Sequence, residues 1–251
     1  MTTHINPAHA AVLRTEARLF GREWGSLFWI LLFPTALLCI LGAIPGFRRD
    51  DPALGGMSVI DLYVPTAILL SMIMAAIMAM PPVVFAYRES GVLRRLGTTP
   101  VGASSILLAQ VALHTAAVVG SSILALVVGR LAFGTPFPHS WSGYVLAYLL
   151  TLVAAFSIGA ALTALSPTGR VGTAVGTVVF FVAMFTSGVW LPVQAMPEAL
   201  REVLAWTPLS AAAEAMTQAV DGGFPDPVHL LVIAVWGAVL SFVAVRTFRW
   251  E

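Results

Sequence analysis

Six stretches of the 251-residue chain are each apolar over roughly 20 residues, the length a helix needs to cross a bilayer. They run Trp24–Ile44, Ile60–Phe85, Val101–Gly129, Trp141–Leu165, Val171–Leu191 and Val228–Val245. In lipid a spanning segment must satisfy its own backbone N–H and C=O groups, so separate runs of this length predict helices. The expected fold class is all-α integral membrane, with six transmembrane helices. The composition agrees: 59% of residues are hydrophobic and 10% charged, against about 45–50% and 25% in soluble domains. Residues 1–23 carry Arg14, Arg18 and Arg22 but no short apolar core with a small-residue cleavage site, so the first run reads as a retained helix. No internal repeat or low-complexity linker divides residues 1–251, which read as a single transmembrane domain.

The few charges set an orientation. An even number of spans puts both termini on one side, and that side holds nine arginines against four on the other. The positive-inside rule therefore places both termini in the cytoplasm. Trp24, Trp141, Trp190 and Trp250 fall near span ends, where amphipathic rings anchor at the interface.

What is missing excludes several functions. All 13 basic residues are arginines, so the chain has no P-loop lysine and no Schiff-base nucleophile. A net charge of +1 gives no support for nucleic-acid binding. Cys39 stands alone in an apolar run, which excludes an intrachain disulfide or thiol pair. The five histidines (His4, His9, His114, His139 and His229) show no metal-ligand spacing, and there is no GxSxG elbow, so neither a catalytic nor a metal site is expected. No acid or arginine lies in the core of a span, where ion-coupled transporters place ionisable groups. His114 is open to two readings, a proton relay or a hydrogen-bonded packing residue, and Asp61 sits at the outer end of the second run. They motivate an ion-coupled secondary transporter as the rival reading. A membrane enzyme acting on lipids, motivated by Glu198, Glu202 and Glu214, is the weaker one.

Two cytoplasmic segments carry a positive signal. Arg14, Arg18 and Arg22 recur every four residues and form one helical stripe, with Leu13, Ala17, Phe20 and Trp24 on another. This pattern, in residues 1–23, predicts an amphipathic helix lying in the interface. The loop 86–100 contains Val92, Leu93 and Leu96 at one-face spacing beside Arg94 and Arg95. It predicts a short helix ended by Gly97 in a left-handed conformation, with Thr99 capping the next span and Pro100 at its first position. Such a helix suits docking a partner, its apolar residues filling a groove and its arginines selecting acidic neighbours.

Glu89, Gly91, the Leu93-Arg94 pair and Pro100 resemble the coupling loop of ABC type-2 transporter permeases. The likeness extends to the N-terminal helix, the six spans, and the apolar segment 192–221, which is interrupted by Pro192, Pro197 and Pro208 and is similar to the family's paired outer re-entrant helices. By size and pattern the drug-resistance, daunorubicin-exporter-like branch is the nearest likeness. The resemblance implies a subunit of the bacterial inner membrane that pairs with a second permease copy, identical or related. Cytoplasmic ABC ATPases would bind ATP and Mg for it and couple through Glu89, Gly91, Val92, Leu93, Arg94, Arg95, Leu96 and Pro100. It implies efflux of a lipophilic drug or lipid-like substrate past the second and fifth spans, where Met72, Met74, Met78, Phe180, Phe181, Met184 and Phe185 offer adaptable apolar surface. Core- or lipid-facing packing is the plainer reading of those seven. Gly172 and Gly176 form a GxxxG that serves either a contact between copies or packing within one chain.

Overall fold

The computed structural model describes residues 7–98, 102 and 104–248, and among them the regular structure is helical, apart from an isolated bridge between Asp50 and Ser58. An N-terminal helix, Pro7–Phe20, turns at Gly21–Glu23 into span 1, Trp24–Gly42. Span 2 is Val59–Glu89, span 3 Ser104–Phe133, span 4 Trp141–Leu165, span 5 Gly169–Thr186 and span 6 Pro227–Thr247. A six-residue loop helix, Val92–Gly97, follows span 2. A short outer helix, Glu198–Leu204, and a long one, Pro208–Asp221, precede span 6.

Span 2 is the axis of the bundle. Of its apolar window 78% is buried, against 22–50% for the other five. The outward faces of those others carry exposed Leu108, Leu131, Leu231 and Val245, as expected of helices solvated by lipid rather than water. Spans 1 and 2 each widen into a π turn, at Phe28–Leu32 and Met74–Ala79. The cause is proline. Pro34, and the pair Pro81-Pro82, lack the N–H that an α-helix would aim at Ile30, Ile77 and Met78, and their rings crowd those carbonyls. The π turn spreads the strain over one extra residue.

Several ends differ from the apolar-run boundaries. Span 2 continues past Phe85 to Glu89, so residues 86–89 of the expected loop are helix. Span 5 stops at Thr186 rather than Leu191, because Gly188 turns left-handed (φ 83°) and the Val189 N–H closes back on the Met184 carbonyl. The loop helix does not end through a left-handed Gly97. That conformation belongs to Gly91 (φ 72°), where the chain turns off span 2, and Thr98 follows Gly97 at φ −90°. Thr99, Pro100, Trp250 and their expected roles lie outside the described residues. Trp24, Trp141 and Trp190 are exposed near helix ends, consistent with interfacial anchors.

The two outer helices differ in burial: the short one is mostly exposed, and the long one packs into the bundle. The long helix is buried along most of its length through Ala211, Ala212, Ala215 and Ala219, small residues that let it approach spans 4 and 6 closely. At one end the Ser140 N–H donates to the Ala219 carbonyl, level with the start of span 4. At the other, the Trp236 indole N–H donates to the Trp206 carbonyl (2.8 Å). Trp236 lies nine residues into span 6, about 14 Å along its axis, so the turn between the outer helices lies level with that point of span 6.

Candidate functional site

The N-terminal helix, the loop helix and the turn between spans 4 and 5 share the arginine-rich end of the bundle. Three consecutive residues in the last turn of span 2 hold them. The Tyr87 hydroxyl donates to Glu16 on the N-terminal helix (2.9 Å). The Arg88 guanidinium donates to the Thr163 and Ser166 carbonyls (3.2 and 2.7 Å), capping the end of span 4, and stacks over Phe85 at 5.2 Å. The Glu89 carboxylate accepts the Gly169 N–H (2.7 Å), capping the start of span 5. One helical turn is therefore tied to three other elements.

Glu16 is the least expected member. It is 5% exposed and also accepts the Gln110 side-chain amide of span 3 (2.6 Å). A buried carboxylate needs such donors, since leaving water uncompensated costs several kcal/mol or more. In the sequence Glu16 is one cytoplasmic charge among several, and Tyr87 and Arg88 belong to no motif of their own. The available signal was spacing: Val12, Glu16 and Phe20 fall at i, i+4, i+8 and form the inward face. Phe20 accordingly packs inward with its ring 4.8 Å from His114, rather than into the bilayer surface with Leu13, Ala17 and Trp24. Arg14, Arg18 and Arg22 are all exposed. Replacing Glu16 with alanine leaves the Tyr87 hydroxyl and the Gln110 amide without their acceptor, an expected loss of about 1–3 kcal/mol. Thermal unfolding of Glu16→Ala beside Glu16→Gln checks this, because glutamine keeps one acceptor oxygen and should recover part of the loss.

The loop helix is pinned from below. Leu93 is fully buried against the protein's own core, with Val92 and Leu96 packed beside it. The apolar face expected to fill a partner's groove is thus occupied internally, and Arg94 and Arg95 are what the helix leaves exposed. His114 bonds through Nδ1 to the Gln110 carbonyl of its own helix (2.8 Å), and its buried Nε2 has no hydrogen-bond partner. Asp61 forms a capping box with Ser58 at the start of span 2.

Span 5 packs on span 2 through its glycines. A Cβ on Gly172 would fall 2.1 Å from the Phe85 ring, and one on Gly176 3.1 Å from Leu162, so both face neighbours within the chain. Met74, Met78 and Phe180 come together with Ser26 and Trp29 around a cavity of about 380 Å³ flanked by the two π turns. Met72 is fully buried, Met184 nearly so, and Phe181 and Phe185 are exposed on the outer face of span 5. Among the described residues no group of His, Cys, Asp and Glu could hold a metal ion.

Residues 9–220 match the family model described as ABC-2 type transporter. No curated protein matches the chain. The match begins in the N-terminal helix, takes in five spans, the loop helix with its Glu89-Ser90-Gly91 turn, and both outer helices. Sequence pattern, six-span architecture and family match agree, and the chain is a multi-pass membrane protein that belongs to the ABC-2 type transporter family.

Proposed function

We propose that this chain is the permease subunit of an ATP-driven exporter of the bacterial inner membrane, with its arginine-rich end in the cytoplasm. It acts as a pair, with itself or a related permease, and moves a lipophilic, drug- or lipid-like substrate outward. ATP and Mg bind the partner ATPases, with which the family associates. Arg94 and Arg95 meet the ATPase, and Leu93 keys their helix into the bundle.

The observation that carries this reading is the triple tie of Tyr87, Arg88 and Glu89. A displacement of the loop helix reaches span 2 through Gly91, and from there the N-terminal helix, the end of span 4 and the start of span 5 at once. Spans 1, 2 and 5 frame the Met74–Met78–Phe180 cavity, so the same movement changes the shape of an apolar chamber. Its methionines and aromatic rings suit ligands of varied shape. Against the ion-coupled alternative, Asp61 serves a helix cap and the His114 Nδ1 bonds to its own helix, which supports the ATP-driven reading.

Proteoliposomes containing the chain and its ATPase should move a lipophilic fluorescent cation only with hydrolysable ATP, and continue to do so when an uncoupler collapses the ion gradients. Transport that stops with the uncoupler while ATP remains high would overturn the ATP-driven reading.

A further inference from the structure

A second cavity, of about 350 Å³, lies at the opposite end of the bundle between the two outer helices and the start of span 6. Its lining includes Arg201, Glu202, Ser210, Glu214, Gln218 and His229. The Ser210 side chain is fully buried, and its hydroxyl has no hydrogen-bond partner. The Nδ1 atom of His229 is likewise buried without a partner. Burial pushes the Glu214 carboxyl above the usual carboxylate range, with His229, Arg201 and a hydrogen bond from Gln194 pulling it partly back. Arg201 and Glu202 are exposed and opposite in charge. Arg201 and Glu202 offset one another, which leaves Glu214 as the unbalanced acid of the lining, and a cation seated beside it would favour its ionised form.

We propose that this cavity binds a primary ammonium group carried by an amphiphile. A primary ammonium has three N–H donors and no acceptor. The wall offers three acceptors: the Glu214 carboxylate, the Ser210 Oγ, and His229 Nδ1 in the tautomer protonated at Nε2. An anionic group would face Glu214, and a quaternary ammonium has no N–H for Ser210 and His229. An apolar tail has somewhere to go, because Val203 and Trp206, next to Glu202 and Ala205 of the lining, are 68% and 67% exposed and apolar. Two sources share this chemistry, the headgroup of an aminophospholipid and a lipophilic amine in transit. Amine binding at this cavity needs no ATPase and is independent of the export reading.

The test uses the whole chain in phosphatidylcholine nanodiscs, titrated with decylammonium and with decyltrimethylammonium. Trp206 and Trp236 near the cavity report binding by fluorescence. Decylammonium should bind at least tenfold more tightly than its trimethyl analogue. Glu214→Gln should abolish that preference, and Ser210→Ala, which removes only one oxygen, should reduce it several-fold. Equal binding of the two amines to the natural chain, or a preference that survives both substitutions, overturns the proposal. Adding phosphatidylethanolamine to the nanodisc separates the sources: weakened decylammonium binding identifies the lipid headgroup as occupant, and unchanged binding identifies the free amine.

Discussion

Gly159→Ala is expected to be the most destabilising single-methyl change in the bundle. A Cβ at this position would lie 1.9 Å from the Ala76 carbonyl oxygen and 2.9 Å from its carbon, both backbone atoms that cannot swing aside. The reason for the close approach lies in the prolines of span 2. The Met80 N–H reaches back to Ala75 across the π turn, and Pro81 has no N–H to offer. The Ala76 carbonyl thus lies against the bare Cα of Gly159, where spans 2 and 4 meet. Overpacking a core costs about 1–3 kcal/mol, and a clash with backbone belongs at or beyond the top of that range. Thermal unfolding in detergent should show a fall on the order of 10 °C. Gly25, a helical glycine with no atom within 4 Å of its would-be Cβ, supplies the control. Gly25→Ala should leave the midpoint unchanged or slightly raised, since alanine is favoured over glycine in helices by up to about 1 kcal/mol. A Gly159→Ala chain as stable as the natural one would mean that the two spans are not in such contact.

The spans were legible because lipid imposes one simple requirement, a helix-length apolar run, and all six runs satisfy it. Their ends were less so. Hydropathy does not register that Gly188 leaves span 5 left-handed, or that Arg88 and Glu89 continue span 2 because their side chains cap two neighbouring helices. The outer helices could be read from their prolines, but the level of their turn along span 6 depends on the Trp236–Trp206 contact between distant segments. At the arginine-rich end, Arg94 and Arg95 were visible as exposed charges on a short helix, whereas Glu16 was not visible as a buried one. Glu16 lies two residues from both Arg14 and Arg18 and reads as one more charge of that stretch, although its spacing with Val12 and Phe20 sets it on the face opposite the arginines. Its partners Tyr87 and Gln110, distant in sequence, supply the donors it meets there. The polar cavity near Glu214 was hidden for a related reason: its residues come from two outer helices and a span that lie apart in sequence.

The second large effect concerns docking. Arg94 and Arg95 project from a six-residue helix whose other side is fixed by Leu93, so their positions are set by the bundle rather than by the partner. Reversing both charges leaves the fold nearly untouched, since exposed substitutions usually change stability by no more than about 0.5 kcal/mol. At an interface the same change is severe, because opposed like charges cost several kcal/mol and each 1.4 kcal/mol is about a factor of ten in affinity. The double variant Arg94→Glu, Arg95→Glu should therefore unfold at the temperature of the natural chain while losing its ATPase. By contrast Leu93→Ala empties a fully buried position and should lower both, by about 2–5 kcal/mol in stability.

The direct measurement is co-purification of the ATPase subunit with the natural chain and with the Arg94→Glu, Arg95→Glu variant, each checked for folding by thermal unfolding. At least a tenfold loss of bound ATPase is expected from a variant that remains folded. Undiminished ATPase association with the charge-reversed loop helix would contradict a docking role for Arg94 and Arg95.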